Sequence, residues 1–244
     1  MDVAISPVDL LVFGPHPDDI EIGLAGTVAL HTAAGHRVGL CDLTRGELGS
    51  NGTPEERAGE AEAARAVLGA VWRVNLAWPD GGIAGTDTQI REAVGLIRRA
   101  RPRTIALPYW DDRHPDHRAA SDVLTRAAFR SGLRRFASPA ETEAPSWRAE
   151  WLCYYFINDS AAPSFTIDVS AVYDRKRQAL GCHRTQFAPD AAGRVDTRLT
   201  SPRFRQLVES RDAQFGALAG VAFAEGLIVR EPILRRTLFR EDQP

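Results

Sequence analysis

Four apolar runs, each followed closely by a segment of helical period, restrict this chain to one class of fold. Asp9-Leu10-Leu11-Val12-Phe13-Gly14 is continuous and apolar, as a strand covered on both faces must be. Behind it Ile20, Leu24, Val28 and Leu30 recur at near-helical spacing up to Ala34, and Gly35 closes the segment. Val38-Gly39-Leu40-Cys41-Asp42-Leu43 is the second strand. Thr53-Pro54-Glu55-Glu56 sets Thr at the N-cap, Pro at N1 and Glu at N3, so a helix starts there, runs to Leu68 and stops at Gly69. A strand over Trp72–Leu76, a helix over Asp87–Arg101 ended by Pro102, a buried strand over Thr104–Leu107 and a helix from His117 to Ser131 complete the series. This alternation predicts an α/β fold: a Rossmann-like, doubly wound, mostly parallel sheet with helices on both faces and right-handed crossovers.

The order weakens after residue 136. Ala137 to Glu150 reads as a surface loop, and residues 186–202 as an irregular lid or a contact between subunits. Trp151–Ile157 and Phe165–Val169 are expected as extra C-terminal strands, Ser170–Leu180 and Arg203–Leu218 as extra helices. A chain of 244 residues suits a single domain spanning 1–244, with 1–136 as its Rossmann-like half and 151–244 completing the site. The net charge of −2 gives no electrostatic reason to expect nucleic acid or an anionic membrane as partner. Arg126, Arg130, Arg134 and Arg135 form one basic stretch, read as a solvated helix face. Cys41, Cys153 and Cys182 are too few and too scattered for a disulfide framework. Neither a signal peptide nor an apolar stretch of about 20 residues is visible, so the expected location is the cytoplasm.

In a sheet of this kind the site lies beyond the carboxyl ends of the strands. Pro15-His16-Pro17-Asp18-Asp19 follows the first strand and Arg113-His114-Pro115-Asp116-His117 the fourth. His16 and Asp19 are three residues apart at a strand-to-helix turn and can face one point; His117, from a neighbouring strand end, can supply a third ligand. Two imidazoles and a carboxylate leave the fourth position of a tetrahedral zinc open to water, and the same set admits Fe(II), Mn or Co. Asp18 is not needed as a ligand and is the natural general base for a water activated by the metal. His114 can polarise a carbonyl, stabilise an oxyanion or protonate a leaving amine, with Asp116 orienting it. The expectation is a metal-dependent hydrolase. The segment after the first strand is not G-x-G-x-x-G and has no P-loop lysine, which argues against a nucleotide cradle. His31, His36 and His183 are read as surface or core histidines, and Gly23 and Gly26 as sites of close packing or ligand approach.

Gly14-Pro15-His16-Pro17-Asp18-Asp19-x-Glu21-Ile22-Gly23 together with His114-Pro115-Asp116-His117 resembles the LmbE-like (PIG-L) de-N-acetylases, metal enzymes that remove acetyl groups from N-acetylglucosamine conjugates. Cys41-Asp42-Leu43-Thr44-x-Gly46-Glu47-Leu48-Gly49-Ser50-Asn51-Gly52-Thr53, Arg57, Glu60, Asn75-Leu76, Pro79-Asp80-Gly81, Asp112-Arg113-His114-Pro115-Asp116-His117, Tyr154-Tyr155, Val195-Asp196-Thr197 and Ala224-Glu225-Gly226 are similar to the branch acting in bacillithiol biosynthesis. The resemblance implies His16, Asp19 and His117 as metal ligands, Asp18 as base and His114 as the charge-stabilising residue. It further implies a homo-oligomer, a hexamer, hydrolysing N-acetylglucosaminyl malate to glucosaminyl malate and acetate. Arg57 and Arg113 flank the motifs where a bidentate clamp for malate would be wanted, although Arg57 can instead pair with Glu56 or Glu60 on its own helix. Glu47, in a Gly-rich loop, can accept sugar hydroxyls. Two other readings stand beside this one: the same chemistry on an inositol or chitobiose conjugate, and a sugar- or metal-binding module without catalysis, against which the intact Asp18 speaks. The family often has a tyrosine in the C-terminal part of the site, whereas the last tyrosine here is Tyr173.

Overall fold

The computed structural model describes residues 4–137, 144–188 and 193–234. Five parallel strands form the body of one seven-stranded sheet: β1 (Leu10–Gly14), β2 (Val38–Thr44), β3 (Trp72–Trp78), β4 (Thr104–Pro108) and β5 (Trp151–Tyr155). β6 (Phe165–Asp168) and β7 (Ala224–Ile228) add an antiparallel edge, in the order β3-β2-β1-β4-β5-β7-β6. The expectation of a doubly wound, mostly parallel sheet holds. β7 is an addition to the elements expected from sequence: its five residues mix Glu225 and Gly226 with apolar positions and so lack a strand's apolar signature.

Alternation along the strands divides the core. Leu10 and Val12 point to one face, with α1 (Asp19–Ala33), α2 (Pro54–Leu68) and α5 (Tyr173–Cys182); Leu11 and Phe13 point to the other, with α3 (Asp87–Ala100) and α4 (Pro115–Ser131). The Thr53 capping box forms as its sequence requires, and Gly69 closes α2 in the left-handed region at φ 72°. Gly23 lets α1 settle on β5: a methyl there would lie 2.6 Å from the Phe156 carbonyl oxygen. α6 (Arg184–Phe187) occupies the start of the stretch expected to be irregular, and α7 (Pro202–Ala219) precedes β7. Within the expected loop and lid, residues 138–143 and 189–192 lie outside the described residues.

A buried ionic knot ties the C-terminal elements to α1. Lys176 Nζ on α5 lies 2.7 Å from both Glu225 on β7 and Asp212 on α7, and all three side chains are buried. Glu225 in turn accepts the N–H groups of Gly26 and Thr27, midway along α1, while Arg211 donates to the Ile22 carbonyl. Side chains thus enter the hydrogen-bond ladder of the helix that leads out of the site. Lys176→Met removes the ammonium shared by two buried carboxylates, leaving Asp212 with Arg211 and Tyr173 and Glu225 with the α1 amides, and is expected to cost about 3 kcal/mol; urea unfolding checks this as a lower midpoint with unchanged slope.

Candidate active site

Where β1 ends, the chain turns through Pro15-His16-Pro17 and enters α1 at Asp18, which stands at φ 140°, ψ −24°. An L-residue with positive φ carries strain of about 1–3 kcal/mol and persists only when its surroundings hold it. Here Arg57 does so. Its guanidinium, buried on α2, donates to the carbonyls of Gly46 and Pro17 (both 2.9 Å) and approaches Asp18 Oδ2 at 3.3 Å. The Asp18 side chain makes no capping bond to α1 and faces the cavity.

Beside it the three motif imidazoles converge. Asp19 Oδ2 lies 3.0 Å from His16 Nδ1 and 3.3 Å from His117 Nε2. On the far side of each ring stands another carboxylate: Asp112 at 3.1 Å from His117 Nδ1, and Asp80 and Asp116 at 3.2 and 3.3 Å from His16 Nε2. His16, His114 and His117 also bring one nitrogen each within 4.8 Å of one another, and His16, Asp80 and Asp116 form a second such group. His114 is the N-cap of α4, and its Nδ1 accepts the Asp116 N–H at 3.2 Å. That bond makes Nε2 the protonated nitrogen, a donor available to the cavity. The cavity, about 580 Å³, is lined by these groups, Asp112 excepted, and by Arg113, Asn158, Gln186, Arg198 and Phe204, among others.

The electrostatics follow from burial and pairing. Burial pushes the Asp18 carboxyl up to about 6, with Arg57 opposing, which brings a base close to neutral pH. Burial works against a charged His117, but Asp19 and Asp112 outweigh it and raise it to about 9. Asp19 is held well below the carboxylate range, because His117 and His16 overcome its burial. For His114 burial and the neighbouring imidazoles act together and lower its pKa, which favours the neutral ring. Five carboxylates (Asp18, Asp19, Asp80, Asp112 and Asp116) therefore crowd three imidazoles and one buried guanidinium. Such an excess of acceptor oxygens around converging nitrogens suits a divalent cation, with Asp112 behind His117 as the carboxylate that orients a ligand imidazole.

The structure brings His16, Asp18, Asp19, His114, Asp116 and His117 to one cavity, with Arg57 and Arg113 on its lining. Three placements differ from the sequence expectation. The Asp116 carboxylate serves His16 and the Gly81 N–H, so only its backbone orients His114. Glu47 accepts the Asp80 N–H at 3.0 Å and stays off the cavity lining. Arg57 pairs with neither Glu56, which caps its own helix, nor Glu60, which binds Thr185; its terminal nitrogens bind the turn that carries Asp18. Sequence reasoning assigns no role to Asp80, Asp112 or Asn158. Asp80 and Asp112 both stand inside segments that carry the family resemblance, and Asp112 leaves a chemical signal as well, an acid two residues before a metal-type histidine at a strand end. Tyr173 is buried against Asp212, and no tyrosine lines the cavity among the described residues. Arg57→Gln is expected to lower kcat about ten- to a hundredfold, the worth of one charge-assisted contact, with KM nearly constant for every aglycone. A rise in KM confined to anionic aglycones would make Arg57 a substrate contact instead.

Strand ends, histidines and acids together make up a site with the composition that metal-assisted hydrolysis calls for. A family profile described as PIG-L, GlcNAc-PI de-N-acetylase, matches residues 11–128, a span that holds both histidine motifs. The diacetylchitobiose deacetylase of Thermococcus kodakarensis is 28% identical over 229 residues, covering 89% of this chain and 81% of that protein. The 1D-myo-inositol 2-acetamido-2-deoxy-alpha-D-glucopyranoside deacetylase of Acidothermus cellulolyticus is 28% identical, with 74% and 80% covered. The crystal structure of the conserved protein TT1542 from Thermus thermophilus superposes with a TM-score of 0.85 at 38% identity, covering 96% of this chain and all of the other. The chain belongs to the PIG-L/LmbE-like de-N-acetylase family, and is an enzyme that hydrolyses N-acetyl groups.

Proposed function

We propose that this protein removes the acetyl group from an N-acetylglucosamine conjugate, with His16, Asp19 and His117 holding one divalent metal, zinc by preference. The observation that carries the reading is the placement of Asp18 and His114 on the same cavity as the Asp19-centred pair of imidazoles. When bound, the metal supplies Lewis acidity to the acetyl carbonyl and to water. Asp18 accepts the proton of the attacking water, and Arg57 keeps its carboxylate aimed. The Nε2–H of His114 donates to the carbonyl oxygen as negative charge gathers there. Asp18 then returns the proton to the departing amine. Acetate release from N-acetylglucosaminyl glycosides, measured alongside bound metal, tests the proposal; metal-loaded protein inert on all of them would defeat it.

For the aglycone, the names carried by the relatives support an inositol or a second glucosamine over malate. One observation keeps the malate conjugate as a second reading. Arg113 and Arg198 both lie exposed on the cavity lining, flank the Asn158–Asp159 turn and pair with no carboxylate among the described residues. Arg113→Lys and Arg198→Lys are expected to raise KM for a malate conjugate about tenfold and to leave chitobiose-type substrates nearly unchanged. Equal effects on both substrates would remove malate from consideration.

A further inference from the structure

Residues 193–200 are tied to the rim of the active-site cavity at two places. At the first, the Asn51 carboxamide pairs with a peptide unit as a neighbouring strand would. Its Nδ2 donates to the Val195 carbonyl and its Oδ1 accepts the Val195 N–H, both at 2.8 Å. Asn51 is itself buried, and its main-chain carbonyl accepts from Gln186 Nε2 at 2.9 Å. At the second, Arg198 Nη1 donates to Asn158 Oδ1 at 3.1 Å, and the guanidinium lies over Phe204, 5.4 Å from the ring centre. The turn that carries Arg198 is closed by its own side chains: the Thr197 N–H donates to the Thr200 hydroxyl at 2.9 Å, and the Thr200 N–H to the Thr197 hydroxyl at 3.3 Å. Asn51 follows β2 and Asn158 follows β5, while β1 and β4, with the histidine motifs at their ends, lie between those strands in the sheet. The segment thus bridges the two sides of the cavity, and Arg198 and Leu199 line it from there.

We propose that residues 193–200 form the subsite for the group attached to the N-acetylglucosamine ring, and that Asn51 is the positioning residue that sets where Arg198 meets it. The inference rests on the deacetylase reading above. Asp18, Asp19 and His117 are buried, whereas Arg198 is exposed. An acetamido group that reaches the base therefore leaves the far part of its substrate beside Arg198. The guanidinium has five N–H donors and commits one to Asn158, so others remain for an aglycone oxygen, hydroxyl or carboxylate alike. The turn, the Phe204 ring and Asn158 have already restricted this long side chain, which lowers the entropy lost when a ligand binds. Asn51 acts at one remove. It is absent from the cavity lining, and its side-chain oxygen and nitrogen both serve Val195.

Acetate-release kinetics that compare N-acetylglucosamine itself with the glycoside of it that the enzyme deacetylates best give the test. Asn51→Ala should raise KM for the glycoside about three- to tenfold more than KM for the free sugar, the worth of one hydrogen bond, without a matching loss of kcat. In an Arg198→Ala background the same substitution should add almost nothing, because both changes remove one contact. Thr197→Val opens the turn from a partly exposed position and should reproduce the KM shift if Asn51→Ala does not fold. Amide exchange at Val195 should quicken in Asn51→Ala, since its N–H loses its acceptor. Equal KM changes on both sugars, a loss confined to kcat, or additive effects in the double variant would overturn the role given to Asn51. Metal-loaded protein that releases acetate from neither sugar would overturn the deacetylase reading, and this inference with it.

Discussion

Asp18→Asn lowers kcat by about 10²–10⁴-fold and leaves the metal content at one per chain. That is the expected result if this side chain moves protons and does not coordinate. Asparagine keeps the shape and tolerates unusual backbone conformations better than most residues, so the turn at φ 140° should survive the change. What is lost is the ability to accept a proton. Circular dichroism and metal analysis of the purified variant, set beside acetate-release kinetics, give the measurement. Loss of metal together with activity would place Asp18 among the ligands and leave the base to be sought elsewhere.

His117→Ala is expected to empty the site of metal and to remove almost all activity. Its Nε2 is one of the two nitrogens facing Asp19, and no other described side chain takes that position. Asp112→Asn should give a graded form of the same defect, about 10–100-fold weaker metal binding, because it leaves the imidazole in place and removes the carboxylate behind it. His114→Ala provides the contrast. His114 also brings a nitrogen within 4.8 Å of His16 and His117, so a ligand set of three histidines would lose metal in that variant, while the set centred on Asp19 would keep it.

Much of this is legible in the chain because buried parallel strands announce themselves. Leu10–Gly14 and Ile105–Pro108 are apolar throughout, and the motifs at their ends fall where such sheets place ligands. The helix caps at Thr53 and Gly69 are readable because their stereochemistry is local. Side-chain destinations across the fold are not. Whether Arg57 reaches a ligand or the Pro17 carbonyl depends on how α2 lies against the β1 turn, a distance of 40 residues in sequence. Asp80 and Asp116 meet His16 from two separate loops for the same reason. β7 is silent in the sequence because a glutamate occupies its second position, and among the described residues the Lys176 ammonium and two amides of α1 make that glutamate tenable indoors.

The knot around Glu225 also bears on how the molecule comes to exist. The first helix of the chain is completed by a carboxylate about 200 residues downstream, so a contact of very high sequence separation stands beside the catalytic turn. Such contacts close late and slow folding, because the whole intervening chain must be ordered before they form. During synthesis α1 would therefore leave the ribosome before the carboxylate that meets its Gly26 and Thr27 amides has been made, and the nascent half would wait without that tie. A fragment cut near residue 128, where the family profile stops, would remain in that state permanently. It would hold every proposed ligand and the base, and it should still fail as an autonomous folding unit.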